Sequence, residues 1–309
     1  MNYGALINRA WQLAVKHRFL WVLGIFGGGA SSMPAVDPSP LIDLMENEGN
    51  TGTLASWLSL PWETVHAQTG QVSAADAAFG SGLIVFMLFL VLGLIYLSIT
   101  FRGGLIAAAR ELDRGSGISF GEAWRAGRHA FWRLLGLGVL MLALVLLVTV
   151  VFAAPVLALT LLDTPAPAII LGALLGLLWF AFVILVSVGA EYAVRGLVLH
   201  ELGVVASIRH GFDVLRRNPA PAFLLWLISL ALGIGLGLAY TVALGLLLVP
   251  LGAIGWGFYA LGVTALTVLY AVVAGIVLIA ALFAAGGFVN AFISMFWTLG
   301  YLELAPTQK

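Results

Sequence analysis

A chain of 309 residues that is 62% hydrophobic and only 9% charged, with a mean hydropathy of +1.09, lies far from a soluble domain, in which about a quarter of residues are charged. Its 14 Lys and Arg balance its 14 Asp and Glu, so net charge indicates no acidic or basic partner, and nucleic acid is not an expected one. The lack of cysteine excludes disulfides, thiolate metal sites, Cys nucleophiles and CxxC redox chemistry.

Residues 1–18 have helical periodicity and carry Arg9, Lys16, His17 and Arg18, the pattern of a helix lying in the membrane interface. Residues 19–36 are uncharged and read as a first span, although Gly27, Gly28, Gly29 and Pro34 weaken its far end. A basic start, an apolar centre and small residues also match a signal peptide, but a leading region of 18 residues is long for one, so an uncleaved span is expected. Residues 37–79 form an acidic outer segment, with Asp37, Asp43, Glu46, Glu48, Glu63 and Asp76 and neither Lys nor Arg. Connections this long are functional or disordered. Leu54, Trp57, Leu58 and Val65 have helix-like spacing, which suggests a partly ordered cap, and Trp57, Pro61 and Trp62 read as an interfacial anchor.

Five further stretches, 80–101, 134–162, 167–190, 219–249 and 258–285, are long and apolar on every face. Lipid offers the backbone no hydrogen bonds, so such stretches form transmembrane helices, and the lack of strict alternation excludes barrel strands. Segments 102–133 and 191–218 read as cytoplasmic helices, and Phe288, Phe292, Met295, Phe296, Leu299 and Leu302 suggest a closing interfacial helix over 288–302. Thirteen of the 14 basic residues fall in segments on one side of the alternating spans, the fourteenth being the terminal Lys309. The positive-inside rule then predicts an all-α bundle of six spans in three hairpins, with both termini in the cytoplasm and turns near Asp163 and at 250–257 on the outside.

Each hairpin follows a basic amphipathic lead-in. With Arg9, Arg125 and Arg209 set equivalent, Lys16, Trp132 and Arg216 share one column and His17, Arg133 and Arg217 the next. Arg102-Gly103 and Arg195-Gly196 follow the second and fourth spans, which adds to a threefold repeat that Gly286-Gly287 completes without the Arg. In the second lead-in, Ser119 to Glu122 reads as a capping box. Phe120, Ala123, Trp124, Gly127, Phe131 and Leu134 share a face opposite Glu122, Arg125, Arg128, His129 and Arg133. Such helices either lie in the headgroup layer or pack on the bundle as elbows. In the first case Arg9, Lys16, Arg18, Arg125, Arg128, Arg133, Arg209, Arg216 and Arg217 are the candidate contacts for anionic lipid, each contributing about 1 kcal/mol near the surface.

Catalytic signals are weak. The spans hold no ionisable residue, Glu191 being nearest and explained by a surface pair with Arg195 at i+4. His17, His66, His129, His200 and His210 match no metal-ligand spacing, no catalytic motif occurs, and no cofactor is implied. Gly24/Gly28, Gly172/Gly176 and Gly233/Gly237 are small-xxx-small pairs suited to helix packing.

The lead-in (Arg9, Ala10, Trp11 through Phe19, Leu20, Trp21, echoed from Ser119 to Leu134), the Arg-Gly exits and the six-span layout resemble uncharacterised bacterial polytopic membrane proteins. These are similar to the membrane domain attached to some glycerophosphodiester phosphodiesterases. The resemblance implies a bacterial plasma (inner) membrane location and a link to lipid or envelope metabolism, and it supplies no catalytic residue. The leading expectation is a non-enzymatic lipid-associated scaffold or accessory subunit, whose partners are membrane lipid, anionic in charge, and a membrane protein. A permease or lipid-translocating carrier is the alternative, requiring a cavity lined by Ser187, Tyr240, Thr241 and Tyr270. A lipid-acting enzyme comes third, requiring His200, Glu201 and neighbouring Arg in one cleft.

Overall fold

The computed structural model describes residues 1–28, 74–161, 165–262 and 264–305. Among them are eight helices and no strand: α1 (Tyr3–Lys16), α2 (Phe19–Gly27), α3 (Ala74–Asp113), α4 (Phe120–Leu161), α5 (Pro165–Leu199), α6 (Val204–Arg217), α7 (Pro219–Ala260) and α8 (Thr264–Leu304). Five of them, α3, α4, α5, α7 and α8, are long and apolar enough to cross a membrane. The chain divides into two units, Met33–Tyr96, and Met1–Ser32 with Leu97–Lys309. In the first, α3 exposes an apolar surface that includes Ile84, Phe86 and Phe89. Residues 37–73 of the acidic outer segment, with its Trp57, Pro61, Trp62 cluster and His66, and the turn at Asp163 lie outside the described residues, while 74–79, expected as the end of that segment, open α3.

The second unit owes its core to helices that outrun a bilayer. A 42-residue helix such as α4 or α7 spans about 63 Å at about 1.5 Å per residue, twice the hydrocarbon thickness of about 30 Å. The overshoot is where burial concentrates. Phe101, Leu105 and Ile106 on α3, Tyr192, Ala193 and Leu197 on α5, and Phe292, Met295 and Phe296 on α8 are all nearly or fully buried, joined by Leu6 and Ala10 of α1 and Leu20 and Leu23 of α2. In contrast, Ala168 is the one buried residue among those described in 142–185 and 226–286. Most side chains there are exposed, as suits a lipid-facing surface, while Leu144, Val145, Phe182, Leu232 and Leu236 among others still pack partly against the core.

Close backbone approach assembles this base. A Cβ on Gly127, in the second lead-in, would run into the Thr100 carbonyl and lie 2.8 Å from the Gly104 nitrogen on α3. A Cβ on Gly211, in α6, would lie 2.7 Å from the Gly189 carbonyl and 2.6 Å from the Ala193 nitrogen on α5. The two glycines share a column of the lead-in alignment, two residues after Arg125 and Arg209, and each seats on the backbone of the preceding long helix, although Gly211 meets α5 about one turn earlier relative to Arg195 than Gly127 meets α3 relative to Arg102. At the chain's two ends Gly24 of α2 and Gly287 of α8 meet in the same way, each against the other helix's backbone, while Trp11 packs edge-on against Phe288 and Phe292. Of the three small-residue pairs read from the sequence, Gly24 makes such a contact. Gly172 has ordinary contact with Val156, and Gly233 and Gly237 face open space.

The basic lead-in stretches each bury residues against protein. α1 buries Leu6, Ala10 and Ala14, α6 buries Ser207, Gly211, Val214 and Leu215, and α4 buries Ala123, Gly127, Ala130, Phe131 and Leu134. The capping box forms as expected: Ser119 N–H and Oγ donate to Glu122 Oε2 at 2.8 Å, and Glu122 N–H returns to Ser119 Oγ at 3.3 Å.

Three boundaries differ from the sequence reading. The stretch 288–302 is no separate interfacial helix but the unbroken end of α8, with Phe292 through Tyr301 supplying part of the core. Its near absence of charge suits a protein interior as well as a membrane face, and hydropathy does not separate the two. The uncharged stretch 250–257 is helical, the turn falling later at Leu261 and Gly262, where Gly262 adopts φ +71°. Residues 102–113 and 191–199 continue their span helices, and 120–133 opens α4 without a break.

Candidate functional site: a buried ionic cluster

Arg102 of α3 reaches Glu191 and Arg195 of α5 inside the second unit. On α5, Glu191 and Arg195 are one helical turn apart and so share a face. Arg195 Nη1 donates to Glu191 Oε2 at 2.6 Å and to the Glu191 carbonyl at 2.7 Å. From α3, Arg102 Nη2 donates to the other carboxylate oxygen, Oε1, at 2.8 Å. One carboxylate thus bridges two guanidiniums that lie 93 positions apart in the sequence. This corrects the sequence reading of Glu191 as half of a surface pair: Arg195 is only 2% exposed, and the partner that ties two long helices together is Arg102. Short-range spacing could reveal the Arg195 pair but not a partner from another span.

The surroundings explain how a buried charge is tolerated. The Arg195 guanidinium stands over the Trp297 ring at 5.2 Å, an electrostatic attraction to the ring face that needs no polar partner. Trp297 packs edge-on against Tyr192, which in turn abuts Tyr301. Even so, Arg195 Nε is buried without a hydrogen-bond acceptor, and the three charges sum to +1.

A second polar group continues from Tyr301. His210 of α6 and the Tyr301 hydroxyl are hydrogen-bonded at 2.8 Å, and the His200 and His210 rings are 5.5 Å apart. Burial, the neighbouring His210 and Arg110 hold the His200 imidazole below the ordinary histidine range. Burial and Arg217 lower His210 too, against an opposing pull from Asp213. Arg110 Nη1 donates to the Leu199 carbonyl at 2.6 Å, which anchors the end of α5. Glu201 is exposed with φ +53°, and its carbonyl accepts from Arg133 Nη1 at 2.9 Å. His200 therefore turns towards the core while Glu201 faces out.

The nine basic lipid-contact candidates divide. Lys16, Arg18, Arg125, Arg128, Arg209, Arg216 and Arg217 are exposed. Arg9 is held by Asp113, its Nη2 2.9 Å from both Oδ1 and the backbone carbonyl, and Arg133 by Glu201 and His129. The hydroxyls considered for a carrier bond helix carbonyls: Ser187 to Ile184, Tyr240 to Leu282, Thr241 to Gly237 and Tyr270 to Leu251. An apolar groove of about 410 Å³ lies elsewhere, between α4 and α5, and is lined by Phe152, Val156 and Leu175 among others. At one end of it Trp179 Nε1 donates to Thr149 Oγ1 at 2.9 Å. Among the described residues no group of three His, Asp or Glu is placed to hold a metal ion.

Five long apolar helices and an all-helical base define a multi-pass membrane protein. The chain belongs to the family of unknown function DUF7544, whose model matches residues 13–303 and so covers the ionic cluster and every helix but most of α1. Comparison with curated proteins and with solved structures gives no match.

Proposed function

We propose that this protein is a non-enzymatic, lipid-associated scaffold or accessory subunit of the bacterial plasma membrane. It has six spans in three hairpins, and both termini lie in the cytoplasm. The observation that carries the reading is the outward set of cations. On the three lead-ins, the apolar faces are taken up by the protein's own core, which leaves Lys16, Arg18, Arg125, Arg128, Arg209, Arg216 and Arg217 facing away from it. Cations held at the ends of membrane spans by rigid elbows favour anionic headgroups, by about 1 kcal/mol each. The resemblance to membrane domains joined to glycerophosphodiester phosphodiesterases supports a place in lipid or envelope metabolism.

Native mass spectrometry of the protein released from nanodiscs tests this reading. An anionic phospholipid population that shrinks in the Arg125→Gln, Arg209→Gln, Arg217→Gln triple variant is the expected result. Equal retention of zwitterionic and anionic lipid by the wild type would defeat it.

A further inference from the structure

Two of the cations in this molecule sit apart from the lead-in surface. Arg102 is the first charged residue after the apolar stretch 80–101, and Glu191 the first after 167–190. A helix that leaves the hydrocarbon at those points places both at headgroup depth. There, Arg102 gives one guanidinium nitrogen to Glu191 Oε1 and keeps its side chain 31% exposed. Of its five N–H donors, one bond to Glu191 is accounted for. Behind it, Arg195 supplies a second positive charge that solvent hardly reaches, with a buried Nε that has no acceptor. One carboxylate is shared between two guanidiniums, so the cluster carries an excess positive charge in an apolar setting. Such a charge is costly unless an anion completes it.

The geometry points to an anion-binding site at the exposed edge of the Arg102–Glu191–Arg195 cluster, whose ligand is a phosphate-class oxyanion held by the free guanidinium edge of Arg102. Planar guanidinium donors match phosphate oxygens in a bidentate manner. At this depth the phosphodiester of an anionic phospholipid supplies the oxyanion, and free phosphate offers the same chemistry from the aqueous side. This inference deepens the lipid reading by assigning one discrete, saturable site, distinct from the diffuse cations of the lead-ins.

The test is native mass spectrometry of the full chain released from vesicles of phosphatidylcholine containing phosphatidylglycerol, repeated with added inorganic phosphate. The expected result is one phosphatidylglycerol held on the wild type under collisional activation that strips the rest. Arg102→Gln weakens that one by about tenfold, the scale of one charge-assisted hydrogen bond. Arg102→Lys, which keeps the charge without the planar fork, gives an intermediate loss. The Arg125, Arg209, Arg217 triple variant keeps the tightly held lipid and loses the others. Displacement of the lipid by inorganic phosphate, or phosphate binding with no lipid, assigns the aqueous source to the same site. A wild type that holds neither anion tightly overturns the proposal, as does an Arg102→Gln variant that holds the lipid as firmly as the wild type. If the triple variant alone loses every anionic lipid, the lipid-associated reading stands and this site falls.

Discussion

Replacing Glu191 with Gln tests the ionic cluster most directly. The substitution removes the one negative charge that serves Arg102 and Arg195 and leaves the shape of the side chain almost unchanged. Breaking a buried pair by deleting one partner costs about 3–5 kcal/mol, because the remaining charge is uncompensated. Arg195 is 2% exposed and cannot relax into water, whereas the Glu191 and Arg102 side chains are 17% and 31% exposed, so the low end, about 3 kcal/mol, applies. At about 2–4 °C per kcal/mol for domains of about 150–250 residues, and less for a longer chain, the melting temperature falls by several degrees and by no more than about 12 °C. Tryptophan fluorescence in detergent reads this directly, since Trp297 faces Arg195. If stranded charge is the cause, Glu191→Gln combined with Arg195→Met is less destabilised than Glu191→Gln alone, because the second change removes the buried cation. A Glu191→Gln protein that melts with the wild type, or a double variant that loses the sum of both single effects, refutes the argument.

Gly127→Val and Gly211→Val force a side chain against the backbone of the neighbouring long helix, and each is expected to cost more than about 2 kcal/mol by overpacking, while Gly233→Ala, with open space around it, is expected to be neutral or to gain up to about 1 kcal/mol of helix propensity; thermal unfolding of the three separates them. Because the folded state holds His200 and His210 below the ordinary histidine range, whose reference is 6.5, the unfolded chain takes up protons first as pH falls. Stability is therefore complete above about 6.5 and is lost as pH drops from there towards the folded-state values, and the melting temperature of a His200→Gln, His210→Gln variant is expected to lose much of that dependence. Tyr301→Phe removes the 2.8 Å hydrogen bond to His210 and is expected to cost about 1 kcal/mol, measured by the same melt. The cysteine-free chain makes topology accessible to labelling: single cysteines at Ser116 and at Leu261 are expected to react with an impermeant maleimide from opposite faces of sealed vesicles, and labelling from the same face would overturn the arrangement of spans.

Much of this molecule was legible in its sequence because lipid exposure is a local property. A helix facing hydrocarbon needs apolar side chains at every position, so the five long helices could be read residue by residue, and the Ser119–Glu122 cap followed from two side chains three positions apart. The charge and apolar spacing of the lead-ins were written along a single stretch of chain. Their destination was not: an apolar face fits a membrane interface or a protein core, and packing against α5 and α8 decided it for α6 and α1. The same ambiguity hid the end of α8, where Phe292, Met295 and Phe296 are apolar because they form the core. Glycine count could not tell Gly127 and Gly211, seated on a neighbouring backbone, from Gly233 and Gly237, which meet nothing. Local spacing found Glu191 and Arg195 and stopped there. Only the approach of α3 to α5 brought Arg102 to the same carboxylate, because a hydrogen bond of 2.8 Å between distant segments depends on where two helices cross, and no short-range pattern encodes that.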